Sequence, residues 1–288
     1  MCCPLVPFFL RWKKIKKSVI LPKAMRKNRF VMRENMISVI VPYHNNERTV
    51  DESVESALNQ SYKDIEIILV DNGSRKEYIP KTKDTRLRVL RYEESLGAAL
   101  ARNEGVKNAK GEYVAFLDSD DIWEDDKLAK QMKIMEKARI HGEAPAICFT
   151  GRRLINVSGV DTGKIVGCDK VVRFENLVKS NQINCSSVLM RKELAERYPF
   201  PEGNLHEDYA VWLSILKEGG YAVGINRPLI RYRLSPGSRS ANKLKSAYMT
   251  YQDYRYVGLG IFESARRMIS YTIAGIKKYT GLYKGTHR

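Results

Sequence analysis

A short apolar run that ends in a group of acidic residues constrains this chain more than any other sequence feature. Residues Tyr113 to Leu117 predict a buried β-strand, and Asp118, Asp120 and Asp121 follow it directly. Carboxylates crowded at a strand end repel one another and require a counter-charge. A hard divalent cation such as Mg²⁺ or Mn²⁺, itself bound to phosphate oxygens, supplies that charge. The motif therefore predicts metal-assisted chemistry on a phosphorylated substrate.

Strand and helix signals alternate from Met36 onward. The predicted strands are 37–41, 65–70, 87–90 and 113–117, and the predicted helices are 49–59 and 96–108. This alternation is typical of an α/β protein with a mostly parallel sheet flanked by helices. In such sheets ligands bind beyond the carboxyl ends of the strands. Those ends carry polar residues suited to a nucleotide, namely Tyr43, Asn45, Asp71, Asn72, Asp118 and Asp120.

The net charge of +17 lies entirely in the two ends of the chain. Residues 1–35 contain ten Lys or Arg and one acid, and residues 239–288 contain ten Lys or Arg and two acids. Basic ends are typical of proteins that bind nucleic acid or an anionic membrane surface. A nucleic-acid-binding protein needs a basic, aromatic face on its core, whereas this core is neutral. We therefore expect no nucleic-acid partner and keep the anionic membrane surface as a candidate.

The two basic ends differ in pattern. Residues 1–35 carry charge runs without periodicity, which predicts a disordered extension and a folded domain that begins at Met36. Between 257 and 276 apolar residues are interleaved with basic ones, which predicts an amphipathic helical tail over 241–288. The apolar face of that tail has two open interpretations, a membrane interface or the core of the protein itself.

The cysteine pattern bears on the compartment. The five cysteines form no CxxC pair, which favours reduced thiols and a cytoplasmic protein. No apolar run of the sequence approaches the length of a transmembrane span. Together with the basic ends, this predicts a cytoplasmic protein that is peripheral on the inner face of the plasma membrane.

Four ordered motifs resemble the family 2 glycosyltransferases of the GT-A fold. They lie at 38–45, 70–74, 97–105 and 111–121 and read SVIVPYHN, VDNGS, GAALARNEG and GEYVAFLDSDD. Each motif alone is weak evidence, whereas four in this order and spacing are specific. The resemblance covers residues 36–240. It implies a nucleotide-sugar-binding half, 36–140, followed by an acceptor half, 141–240.

The resemblance also assigns residues to a nucleotide-diphosphate-sugar donor, with a UDP-sugar as the expected one. Asp71 and Asn72 correspond to the pair that holds the base, and Asp118 to the residue that faces the ribose. Asp120 corresponds to the ligand of Mg²⁺ or Mn²⁺, with Asp121 nearby as a second metal candidate. The full set of implied donor-binding residues is Pro42, Tyr43, Asn45, Glu47, Asp71, Asn72, Arg102, Asp118 and Ser119.

The second half contains a candidate catalytic motif. Residues 206–213 read HEDYAVWL and resemble the Glu-Asp motif that precedes a tryptophan in the family. A helix over 207–218 places Asp208 and Trp212 on one face. Asp208 is the candidate general base, with Glu207 as the alternative. Trp212 is either a sugar platform or part of the core.

The loop after Tyr232 departs from the family pattern. Many relatives place a histidine after a Tyr-Arg pair, and Ser235 stands at that position here. The loop is more similar to that of a subgroup that builds bacterial cell-surface polysaccharides. In this subgroup Arg233, Ser238 and Arg239 are expected to hold the diphosphate by charge-assisted hydrogen bonds. Further upstream, residues 151–172 predict a hairpin or a loop over the acceptor site.

These implications favour a metal-dependent, inverting hexosyltransferase. Its acceptor is expected to be a saccharide, in particular a lipid-linked one. Metal-dependent nucleotidyl transfer is the alternative, because it also uses clustered carboxylates and a divalent ion. It would need a glycine-rich, basic triphosphate loop, which residues 43–48 do not supply. A non-catalytic nucleic-acid-binding protein is the least favoured interpretation.

Overall fold

The computed structural model describes residues 33–140, 142, 144–235 and 243–284. Strand β1 (Arg33–Tyr43) begins three residues before Met36, where the domain was expected to start. The backbone N–H of Asn35 donates to Glu112 Oε2 at 3.0 Å, so this first part of β1 is attached to the fold. The rest of the predicted extension, residues 1–32, lies outside the described residues.

Ten strands of the described chain form one mixed sheet. Its strand order is β3-β2-β1-β4-β9-β6-β10-β5, with β7 paired to β6 and β8 paired to β10. The pairs β3–β2, β2–β1, β1–β4 and β6–β10 are parallel, and β9 is antiparallel to both of its neighbours. The remaining strands are β2 (Ile65–Asn72), β3 (Leu87–Tyr92), β4 (Gly111–Phe116), β5 (Ile122–Trp123), β6 (Ile147–Ile155), β7 (Asp161–Val166), β8 (Val171–Val172), β9 (Leu189–Arg191) and β10 (Ala222–Arg233).

Helices cover both faces of the sheet. In β1, Val39 and Val41 belong to one apolar core and Ile40 to the other, because successive side chains of a strand point to opposite faces. Helices α1 and α3 pack into the first core, and α2, α5, α6 and α7 into the second. The helices are α1 (Val50–Leu58), α2 (Ala98–Asn108), α3 (Lys127–Ile140), α4 (Phe174–Leu177), α5 (Lys192–Arg197), α6 (Glu207–Lys217), α7 (Lys243–Tyr256) and α8 (Ile261–Lys284).

The predicted α/β architecture is confirmed element by element. Each predicted strand and helix of the first half corresponds to an observed one, with shifts of a few residues at the ends. The expected hairpin is the antiparallel pair β6–β7. The two expected halves share one sheet, because β9 pairs with β4 on one side and with β6 on the other.

The C-terminal helices partly pack on the core. Tyr254 of α7 is fully buried, and its hydroxyl donates to the Val178 carbonyl at 2.6 Å. In α8, Met268 and Tyr271 pack against the core, whereas Phe262 and Ile269 are 91% and 64% exposed. The tail therefore has a face on the core and a second apolar face that protein does not cover within the described residues. None of the described helices combines the length and the apolar character that a bilayer crossing needs.

Candidate active site

A cleft of about 1350 Å³ lies at the carboxyl-terminal edge of the sheet. Because β1, β2 and β4 run parallel, the loops after all three strands meet at this edge. The cleft also reaches the start of α6 and the helices α7 and α8. The predicted site residues that line it are Pro42, Tyr43, Asn45, Asn72, Arg102, Asp118, Ser119, Asp120, Glu207 and Asp208.

Arg102 connects the strand-end carboxylates to the catalytic motif. Its Nη2 donates to Asp118 Oδ1 at 2.6 Å, and its Nη1 donates to Glu207 Oε1 at 3.0 Å. The Arg102 side chain is only 7% exposed and lies over the Phe200 ring. A buried guanidinium held by two carboxylates fixes their relative position. The resemblance implies that Arg102 either steadies the site or approaches a phosphate, and its two contacts favour the first role.

Asp120 and Asp121 have different environments. Asp120 lines the cleft, and its Oδ2 accepts a hydrogen bond from Ser235 Oγ at 3.2 Å. Burial and the charge of Asp118 raise the pKa of Asp120. Asp121 is fully buried outside the cleft lining, and its two oxygens accept from Ser186 Oγ at 2.6 Å and from the Arg233 backbone N–H at 3.0 Å. The structure therefore places Asp121 in the protein interior behind the cleft, and its role as a metal ligand stays a prediction.

The cleft carboxylates suit a cation that takes few protein ligands and is otherwise bound by water and substrate phosphates. Within the described part of the chain, no group of three or more His, Cys, Asp or Glu side chains is placed to hold a metal ion. Asp118 and Asp120 line the same cleft, where burial and then the charge of Asp118 raise the pKa of Asp120. Mg²⁺ commonly takes one or two protein carboxylates and completes its shell with water and substrate phosphates. The residues present fit that type of site.

Asp71 and Asn72, the two residues expected to hold the base, also lie in different environments. Asn72 lines the cleft, and its Oδ1 accepts from the Leu96 backbone N–H at 2.6 Å. Asp71 is fully buried and accepts from Arg91 Nη1 at 2.6 Å and from the backbone N–H of Ser74 at 3.1 Å. Burial acts to raise the pKa of Asp71, but these donors outweigh it and lower the pKa. Asp71 thus holds the loop after β2, which corrects its expected role as a direct contact to the base.

Three other predicted residues lie away from the cleft. Glu47 is exposed and is not part of the lining. Arg233 is buried. It donates through Nε to the Asp120 carbonyl at 2.8 Å and through Nη2 to Glu52 at 2.6 Å, so it supports the acidic loop from the side opposite the cleft.

Trp212 is 0% exposed and packs against Phe116 and Phe200, so the sugar-platform interpretation is wrong and the core interpretation holds. Ser238 and Arg239 lie outside the described residues.

Asp208, the candidate general base, lies in the cleft. It is the second residue of α6, lines the cleft, and accepts from the Tyr209 backbone N–H at 2.8 Å. Burial and the neighbouring Glu207 raise the pKa of Asp208 to about 6, although Arg102 opposes them. A carboxyl group with this pKa is mostly ionised at neutral pH yet more basic than an ordinary aspartate. Asp208 can therefore accept a proton from a ligand in the cleft.

Comparison with known families decides the class of protein. Residues 38–194, which include the acidic strand end and Arg102, match the family described as glycosyl transferase family 2. The chain belongs to this family. Its relatives include bacterial glycosyltransferases. One, TuaG of Bacillus subtilis, is a glycosyltransferase named for teichuronic acid biosynthesis and is 35% identical over 84% of this chain and 97% of its own.

A second relative has a more specific name. It is the UDP-Glc:α-D-GlcNAc-diphosphoundecaprenol β-1,3-glucosyltransferase WfgD of Escherichia coli, 33% identical over 88% of this chain and 98% of its own. Among solved structures, the mannosyltransferase PcManGT of Pyrobaculum calidifontis, in complex with GDP-Man and Mn²⁺, matches with a TM-score of 0.56 and 17% identity. That match covers 87% of this chain and 76% of the other, and it supports the GT-A-like fold.

Membership of the glycosyltransferase family decides between the enzyme classes left open by the sequence. The family match includes the acidic residues after β4, the loops that follow β1 and β2, and most of the sheet. Nucleotidyl transfer and a non-catalytic nucleic-acid-binding role are therefore set aside.

Two residues that support the site, Ser186 and Asp253, were not predicted from the sequence. Ser186 accepts from the Asp118 backbone N–H at 3.1 Å and donates to Asp121, so it fixes both ends of the acidic loop. His206 lines the cleft, and its Nδ1 lies 2.9 Å from Asp253 Oδ2. Ser186 is a small polar residue in a buried run, and Asp253 is one acid in a basic tail. Neither has a sequence signal that distinguishes it from a surface or core residue.

Proposed function

We propose that this glycosyltransferase transfers a hexose from a UDP-sugar to a hydroxyl of a saccharide carried on a lipid diphosphate, with inversion at the anomeric carbon. The observation that carries this proposal is the bridge from Asp118 through Arg102 to Glu207, the neighbour of Asp208. The bridge places the acidic donor loop and the candidate base in one cleft. The name of the relative WfgD, which specifies UDP-Glc and a diphosphoundecaprenol-linked acceptor, supports the substrate classes.

The donor would lie along the loops that follow β1, β2 and β4. Tyr43 and Asn72 line this side of the cleft and can contact the uracil and ribose by stacking and hydrogen bonding. Asp118 would accept from a ribose hydroxyl through the oxygen that Arg102 does not use.

Asp120 would hold Mg²⁺ or Mn²⁺ beside the diphosphate. When bound, such an ion neutralises the negative charge that grows on departing UDP. Ser235 contributes the Oγ–H that contacts Asp120 and limits the orientations of its carboxylate. The Mn²⁺ in the PcManGT complex supports this type of metal in the fold.

Asp208 would act on the acceptor. Its carboxylate removes the proton from the acceptor hydroxyl as the oxygen attacks the anomeric carbon from the face opposite the leaving diphosphate, which inverts the configuration. Glu207 is a weaker candidate because its Oε1 accepts from Arg102. A carboxylate that holds a buried arginine loses that contact if it takes a proton.

The reaction would take place at the inner face of the plasma membrane. A lipid-linked acceptor presents its sugar close to the bilayer surface, and Phe262 and Ile269 form an exposed apolar stripe on α8. Arg266 lies on the same exposed side of this helix. Apolar side chains flanked by basic ones are suited to an interface rich in anionic lipid.

The test is a transfer assay on the purified full chain. UDP release is followed with a panel of UDP-sugars and with α-D-GlcNAc-diphosphate on an alkyl chain as acceptor, with and without Mn²⁺. The proposal predicts UDP release that needs both the acceptor and the metal, and a new glycosidic bond in the product. Release of UMP or of a nucleotidylated product, or UDP release that is identical without metal, would contradict it.

A further inference from the structure

A second polar cluster lines the cleft on the side away from the donor loops. His206 Nδ1 lies 2.9 Å from Asp253 Oδ2, and the His206 backbone N–H donates to the other oxygen, Asp253 Oδ1, at 3.0 Å. The second ring nitrogen, Nε2, lies 3.2 Å from Ser246 Oγ. His206, Ser246 and Lys243 all line the cleft. Neither the donor loops nor the acid–base chemistry uses this cluster.

The contacts of His206 orient its imidazole so that one ring nitrogen, Nε2, is directed to the cleft side. Asp253 is fully buried in α7, and two hydrogen bonds from the same residue fix its carboxylate. The Nδ1–H of His206 donates to Asp253, which leaves Nε2 on the side of Ser246 and the cleft. An imidazole held by a carboxylate in this way has a defined tautomer and orientation.

The charges around His206 favour its protonated form. Burial acts to lower the pKa of His206, but the hydrogen bond and charge of Asp253 from α7, and the charges of Asp208 and Glu207 from α6, outweigh it and raise the pKa. With both nitrogens protonated, Nε2–H is a charge-assisted donor. Lys243, exposed at the start of α7, adds a cation to the same part of the cleft.

We propose that His206, together with Ser246 and Lys243, binds the phosphate group of a lipid-diphosphate acceptor. This inference rests on the proposed transfer reaction for its biological ligand. His206 and Asp208 are two positions apart, so their Cα atoms are separated by at most about 7 Å. One pyranose ring spans such a distance, so the hydroxyl under attack can meet Asp208 while the phosphate at the other end of the sugar meets His206.

The continuation of the cleft agrees with this orientation. Beyond Ser246 the lining passes to apolar side chains of the two C-terminal helices, including Met249 of α7 and Met268 and Tyr271 of α8. A lipid chain attached to the phosphate would enter this apolar part of the cleft.

The experiment measures binding of a lipid diphosphate that carries no sugar. Farnesyl diphosphate is titrated into the full chain in the presence of saturating UDP and Mg²⁺, which block the donor phosphate site. Inorganic diphosphate and farnesol are titrated in parallel to separate the phosphate from the lipid. We expect farnesyl diphosphate to bind, and the variants His206→Gln and Lys243→Met each to weaken it, by about tenfold for His206→Gln. Farnesol binding should be the same in all variants.

Lys245→Met is the matched control for Lys243→Met. Lys245 is an exposed residue of the same helix that does not line the cleft, so its substitution removes the same charge without touching the cluster. Unchanged farnesyl diphosphate binding in His206→Gln, with normal UDP affinity, would overturn the phosphate site, and so would equal losses in Lys243→Met and Lys245→Met. Tighter binding of inorganic diphosphate than of farnesyl diphosphate would reject the lipid as the ligand.

The same experiment separates this inference from the proposed function. A chain that binds no UDP but binds farnesyl diphosphate through His206 would contradict the transfer reaction and leave the phosphate site supported. Should His206→Gln reduce stability, Ser246→Ala provides a second variant, since Ser246 is partly exposed and bonds only the outer ring nitrogen. Farnesyl diphosphate affinity should fall in Ser246→Ala as well, and no fall in either variant would overturn the site.

Discussion

Arg102 Nη1 donates to Glu207 Oε1 at 3.0 Å across 105 positions of the sequence. Arg102 lies in α2, which packs against β1 and β2, and Glu207 is the first residue of α6. The same guanidinium holds Asp118 at the end of β4. One buried cation therefore sets the distance between the donor carboxylates and the candidate base, which is the geometry that a transfer between two substrates requires.

Replacing Arg102 should destabilise the fold as well as the site. Arg102→Met removes the guanidinium that pairs with the buried Glu207, and loss of one member of a buried ion pair costs about 3 kcal/mol or more. The free energy of unfolding in urea measures this cost. Arg197→Met is the matched control, because Arg197 pairs with Glu218 at the exposed surface and its loss should cost less than about 1 kcal/mol. Similar values for the two variants would show that Arg102 is not a structural link.

Ser186→Ala should weaken metal binding while the chain stays folded. Ser186 orients Asp121 and the backbone at Asp118, and loss of a residue that orients a metal loop typically costs about tenfold or more in metal affinity. The Mn²⁺ concentration that gives half-maximal activity measures this change. Ser187→Ala is the control, because the Ser187 hydroxyl donates only to the Asn184 carbonyl. An unchanged Mn²⁺ requirement in Ser186→Ala would refute the orienting role.

Activity should fall on the acid side of neutrality. As the proposed base, Asp208 must be ionised to accept a proton, and its raised pKa of about 6 places the loss of activity in the range below pH 7. The pH profile of kcat/KM is expected to decline as pH falls through about 6, because the carboxylate becomes protonated. A profile that is flat down to pH 5 would exclude Asp208 as the base. At pH 5 UDP binding is measured in parallel, so that loss of donor affinity is not mistaken for loss of the base.

Asp120→Asn should make UDP affinity independent of Mn²⁺. Asp120 is the acidic-loop carboxylate that lines the cleft with only Ser235 as a side-chain donor in the described structure. The wild type should bind UDP more tightly with Mn²⁺ than without it, and the variant should show the same weak affinity in both conditions. Calorimetric titration of UDP measures both values. A variant that retains the full Mn²⁺ enhancement would move the metal site elsewhere.

The sheet and the edge that carries the site are predictable from the sequence because both depend on local patterns. The apolar run before Asp118 fixes a strand, and the alternation of strands with helices fixes parallel neighbours whose polar ends meet. Asp118, Asp120 and Asp208 thus reach the cleft as expected.

The support behind these residues is not predictable in the same way, because it depends on tertiary contacts. Asp121 and Ser186 are 65 positions apart, and Arg233 and Glu52 are 181 positions apart. A motif of consecutive acids does not tell which carboxylate points into the cleft and which points into the protein. The separation of Asp120 from Asp121 follows from the donors that surround each one, and those donors come from distant segments.

The most direct test of the account is the kinetics and donor binding of Asp208→Asn, compared with Glu218→Gln beyond the other end of α6. With Asp208 as the proposed base, kcat of Asp208→Asn should fall about 100-fold or more while UDP affinity with Mn²⁺ stays at the wild-type value. Glu218→Gln should leave both unchanged. A near-wild-type kcat in Asp208→Asn, or a parallel loss of UDP affinity, would contradict the assignment of Asp208 as the catalytic base.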